Sequence, residues 1–106
     1  IINTNTCSVK GLIKMEQLQL LYDTLTHFDK GIYICAKIQT TVLCSAFLDS
    51  VVCRKIDDKV LLSDSQYNFY FVANELKKVS VISKKENLYI YVKMQQDLDV
   101  VIVTEN

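Results

Sequence analysis

The spacing of apolar residues changes once along this chain, near Gly31. Before that point Leu18, Leu21, Tyr22, Leu25 and Phe28 recur at i, i+3, i+4, i+7 spacing, and Glu16, Gln17, Gln19, Asp23, Thr24 and Thr26 fill the other side. That stripe belongs to a helix with one face buried, predicted over residues 8–30. Ser8 is its candidate N-cap, Gly31 the left-handed residue that commonly ends a helix, and residues 1–7 a lead-in arm. Leu20 lies off the stripe. After Gly31 the period falls to two, and strands are predicted at Ile32–Ile38, Val42–Leu48, Val51–Ile56, Asn68–Val72, Leu88–Met94 and Val100–Val103. A shorter apolar run, Val60–Leu62, follows an acidic turn at Asp57-Asp58.

No connection between these strands is long enough for a crossover helix, so they pair as an antiparallel meander. The expected fold is α+β: one N-terminal helix packed on a curved antiparallel sheet of five to six strands over 31–104, with closure into a small barrel as the variant. Residues 1–106 form a single domain. The density of apolar residues from Val42 to Leu62 suggests central strands covered on both faces. Edges must be closed, guarded or paired with another subunit. The chain has no proline to guard an edge, which leaves Lys37, Lys55 and Lys93.

Composition narrows the functional classes. Half the residues are hydrophobic, which excludes a disordered tail, and Lys+Arg balances Asp+Glu at 12 each. No global field draws the protein to nucleic acid or an acidic membrane, and weak colloidal repulsion favours association. No apolar run approaches the roughly 18–20 residues that span a bilayer, and no leader pattern opens the chain. The expectation is therefore no membrane partner and a cytoplasmic, reducing setting. Two glycines, no proline and one arginine, against abundant Lys, Ile, Asn and Tyr, match an AT-rich genome such as that of a virus, phage or mobile element.

Catalytic and metal chemistry find little support. Cys7, Cys35, Cys44 and Cys53 include no close ligand pair of the kind a structural zinc site uses, and they read as core or half-buried strand residues. His27, the only histidine, stands near the helix C-terminus, where a cation suits the dipole without catalysis. A Cys–His nucleophilic pair would have to use it. Hydrolase signatures and a glycine-rich phosphate loop are missing from the sequence. No catalytic residue, metal or cofactor is predicted, and the protein is read as a non-enzyme.

A helix ahead of successive apolar antiparallel strands resembles the layout of the Sm-like small barrels, whose rings bind RNA. Phe71, Leu76 and Val79 match the apolar frame of that family's second motif. Ala73 stands in place of its glycine and Val72 where its arginine often stands, departures that remove the residues binding uridine in many members. The resemblance implies a small barrel that binds single-stranded nucleic acid.

The residues themselves favour a contact surface. On Leu88–Met94, Tyr89, Tyr91 and Lys93 alternate with Leu88, Ile90, Val92 and Met94, so if the apolar set is core, the other three must leave it. Lys77-Lys78 and Lys84-Lys85 bracket the nearby Val79–Ser83 segment. Tyr89, Tyr91, Lys93, Lys77 and Lys78 are the candidate interaction residues. The leading expectation is an adaptor or inhibitor that recognises a protein, or another copy of itself, through a sheet face or edge. The alternative is stacking of single-stranded nucleic acid on the tyrosines with lysines along its backbone.

Overall fold

In a computed structural model of the chain, the backbone is described for residues 2–27 and 31–105, and side chains for 13–27 and 31–104. Helix α1 spans Ile2–Thr26. It begins well before Ser8, so the expected arm is helical from Ile2 and Ser8 is not the cap. The polar run Asn3–Thr6 is weak in helix propensity, but nothing in it breaks a helix, and continuity with the turns that follow prevails. The C-terminal end comes earlier than expected. The hydroxyls of Thr24 and Thr26 donate to the carbonyls of Leu20 and Tyr22 at 2.7 and 3.0 Å, occupying acceptors of the last turn. Phe28 lies outside the described residues, and Gly31 is not left-handed. The stripe itself is as expected. Leu18, Leu21 and Leu25 are buried, Met15 and Tyr22 pack beside them, and Leu20 is exposed.

Eight strands follow: β1 (Ile32–Ile38), β2 (Thr41–Leu48), β3 (Val52–Ile56), β4 (Lys59–Ser63), β5 (Asn68–Val72), β6 (Leu76–Lys84), β7 (Asn87–Met94) and β8 (Leu98–Glu105). They form a five-stranded sheet in the order β2-β1-β8-β7-β6 and a three-stranded sheet in the order β3-β4-β5, antiparallel throughout. The strand that alternation did not announce is β6. Its register slips between Leu76 and Lys78, so Leu76 and Val79, three apart, both reach the core and the period of two is lost.

Two-residue turns join β1 to β2, β3 to β4 and β6 to β7. With so few glycines in the chain, Gln39, Asp57 and Lys85 take their left-handed positions at φ 55°, 54° and 54°. Asp57-Asp58 is thus a turn, and the Asp58 carbonyl also accepts the Ala73 N–H at 2.8 Å.

The chain crosses between the sheets at residues 49–51 and again at a short 3₁₀ turn, Ala73–Glu75. One core fills the space between them: Ile32, Ile34, Ile90, Val92 and Ile102 of the large sheet, Val60, Leu62 and Phe71 of the small one, and the leucine stripe of α1. The helix lies against β6, the 73–75 turn, β3 and β4. Two polar bonds fix it there. Lys14 Nζ donates to the Asn74 carbonyl at 2.7 Å, and the Val79 N–H of β6 donates to Gln17 Oε1 at 2.6 Å.

Strand order corrects two expectations. β2 and β3 are edge strands, not central ones, and the apolar density of Val42–Leu48 is in part exposed surface: Val42 and Leu43 are each 57 % and Phe47 62 % exposed. Lys37 and Lys93 sit on the interior strands β1 and β7 and guard no edge, whereas Lys55 does lie on the edge strand β3.

Candidate interaction face

Because Ile32, Ile34, Ile90, Val92, Val100 and Ile102 point into the core, the alternate residues of β1, β7 and β8 point outward. Register aligns them in rows across all five strands. Phe47, Tyr33, Val103, Tyr89 and Ile82 form one row, and Ser45, Cys35, Val101, Tyr91 and Ser80 the next. The third runs Val42, Lys37, Asp99, Lys93, Lys78. An antiparallel sheet with one wet face usually alternates apolar and polar residues. This one does not, since its outer centre is valine and tyrosine.

Local contacts hold the aromatic groups in place. The rings of Tyr89 and Tyr91 stack at a centroid distance of 6.4 Å with 14° between their planes. Lys84 Nζ lies 5.9 Å from the Tyr89 centroid, within cation–π range. The hydroxyls of Tyr33 and Ser45 share a hydrogen bond. Phe47 lies over Gly31, so that a Cβ there would require the exposed ring to shift.

Tyr89, Tyr91, Lys93 and Lys78 therefore share one face, the lysines at its margin. Lys77 falls at the β6 irregularity and lines a neighbouring cleft of about 400 Å³ with Gln39, Lys93, Met94, Asp97 and Asp99. Sequence reasoning missed Tyr33, Phe47, Val101, Val103 and Ile82 as members of the face. Tyr33 carried the same signal as Tyr89, alternation with Ile32 and Ile34. Val101 and Val103 carried none, because their strand is apolar on both faces.

The other singled-out groups lie apart. Cys35, Cys44 and Cys53 are half-buried residues of three strands, and Cys35 and Cys44 occupy opposite faces of the large sheet. Burial pushes the Cys53 thiol up to about 11. The side chain of Cys7 lies outside the described residues. His27 is exposed just beyond α1, beside Asp23, Thr24 and Leu88. Asp64, an unremarked residue of the β4–β5 turn, accepts the N–H groups of Gln66 and Tyr67 at 2.8 Å each and of Asp49 at 3.2 Å. These bonds hold its carboxyl below the ordinary value of 3.8 and tie that turn to the first crossing between the sheets.

No family model, curated protein or solved structure matches the chain. Phe71, Leu76 and Val79, the frame of the Sm-like resemblance, are core residues on β5 and β6 on either side of the 73–75 turn. No helix among the described residues is long and apolar enough to cross a membrane.

Proposed function

We propose that the protein is a non-enzymatic interaction module, an adaptor or inhibitor, which docks a partner protein on the outer face of its five-stranded sheet. The observation that carries this reading is the apolar and aromatic centre of that face, Tyr33, Val101, Val103, Tyr89 and Tyr91, inside a margin of Lys37, Lys78, Lys84 and Lys93. Specific interfaces share that anatomy. Five strands about 4.8 Å apart and some eight residues long present roughly 500 Å², on the order of one side of a small specific interface. Tyrosine adds contact area at little entropic cost.

The test is capture from the native host with the parent and with the double variant Tyr89→Ala, Tyr91→Ala as baits. A partner retained by the parent and lost by a variant of unchanged thermal midpoint is the expected result. Equal retention by both moves the contact off this face.

Single-stranded nucleic acid is the second reading, favoured by Lys84 over the Tyr89 ring and by the lysines around the stacked pair. Titration against salt separates the two. Phosphate contacts make affinity fall steeply with ionic strength, and contact with Val101, Val103 and Phe47 does not.

A further inference from the structure

We propose that β2 is a homodimer edge, two copies pairing β2 antiparallel about a two-fold axis at Ser45 and joining their five-stranded sheets into one. Among the described residues β2 is hydrogen-bonded only to β1, so the backbone donors and acceptors along its other side are free to take a strand. The other sheet edges differ. β6 carries Lys77, Lys78 and Lys84 and has α1 against it, and β3 carries Arg54 and Lys55. β5 is uncharged but has five residues against the eight of β2. Long, apolar edges without charge or proline are the ones that pair, and the one bulge of β2, at Leu43, leaves Cys44–Leu48 in regular register.

The occupant is a second copy because the strand is self-complementary. An axis at Ser45 sets Cys44 opposite the second copy's Ala46 and Leu43 opposite its Phe47, and the bulge of β2 at Leu43 ends the regular register there. The exposed pair Leu43 and Phe47 then cover each other twice, as an isologous interface requires. β2 holds no charge and the chain is neutral overall, so no like-charge repulsion opposes the approach. An eight-residue strand runs about 27 Å. With Val42, Leu43 and Phe47 it offers on the order of 400–500 Å² per copy, the low end for a specific interface and the size of a reversible contact.

The edge and the docking face fail separately. One is read by mass, the other by capture, and Tyr89→Ala, Tyr91→Ala is expected to leave the mass unchanged. The experiment is sedimentation of the full chain over roughly 1–200 µM, for the parent, Ser45→Lys, Ser45→Glu and an equimolar mixture of the two variants. The parent should rise to twice the chain mass. Ser45→Lys sets two cations opposite each other on the axis and should raise the half-dimer concentration about two- to fivefold. The mixture should restore the doubled mass, a rescue that damaged folding could not produce. Leu43→Lys, at an exposed position, takes the place of Ser45→Lys if that variant does not fold. A parent that keeps a single chain mass throughout, a mass above the dimer, a folded Ser45→Lys that dimerises like the parent, or a mixture without rescue would each overturn the proposal.

Discussion

The two edges of the five-stranded sheet differ in almost every respect that governs strand addition. β6 is charged, irregular in register and covered by α1, and Gln17 even takes up the outward N–H of Val79. β2 has a single bulge of its own, at Leu43, but is uncharged and open among the described residues. Edge protection therefore resides in the N-terminal helix and a run of lysines, and it is applied to one side only. In a chain with no proline and few glycines, the bare side is where backbone hydrogen bonding remains to be satisfied.

The strongest way to break that contrast is to undock the helix. Leu21→Ala or Leu25→Ala removes a fully buried side chain and should destabilise the fold by roughly 2–5 kcal/mol, whereas Gln19→Ala on the outer side should change little. Denaturant midpoints decide it, and unchanged midpoints in both leucine variants would mean that the stripe does not hold α1 in place.

A smaller and more local effect is expected from Gln17→Ala. It leaves the part-buried Val79 N–H without its acceptor and should cost about 1–2 kcal/mol, with faster hydrogen exchange at that amide. The two measurements must agree, because a stability loss without faster exchange at Val79 would locate the damage elsewhere.

Asp64 sharpens the picture at the other end, where its carboxylate ties the segment after β2 to the β4–β5 turn. Its folded-state pKa lies below the ordinary 3.8, so its contribution is present above that value and fades as pH drops through the lower folded value. Asp64→Asn should lower stability above about pH 4, leave it nearly as it was at more acid pH, and so flatten the acid limb of a stability–pH profile. An unaltered acid limb would show that another carboxylate governs it.

What could be read from the sequence follows from what each pattern encodes. β1 and β5 have their predicted ends, and the stripe Leu18–Leu25 is the helix face that packs. Tyr89, Tyr91 and Lys93 leave the core because β7 alternates cleanly. β6 escaped notice because its irregularity sets Leu76 and Val79 three apart. The helix start escaped because Asn3–Thr6 carries no apolar stripe. The breadth of the outer face depends on β8 returning between β1 and β7, a long-range pairing that local periodicity does not encode. For the same reason Val42–Leu48 looked central: an apolar run reads alike whether a core or an unfilled edge covers it.

Residue-resolved hydrogen exchange, run on a dilute sample and again at high concentration, tests the contrast between the edges most directly. In the dilute sample the Val79 amide should be protected, and the β2 amides that face away from β1 should exchange nearly as fast as those of a loop. At high concentration the β2 amides should slow while Val79 stays as it was. Protection of the outward β2 amides at every concentration, or a Val79 amide as fast as theirs, would mean that the two edges do not differ in this way.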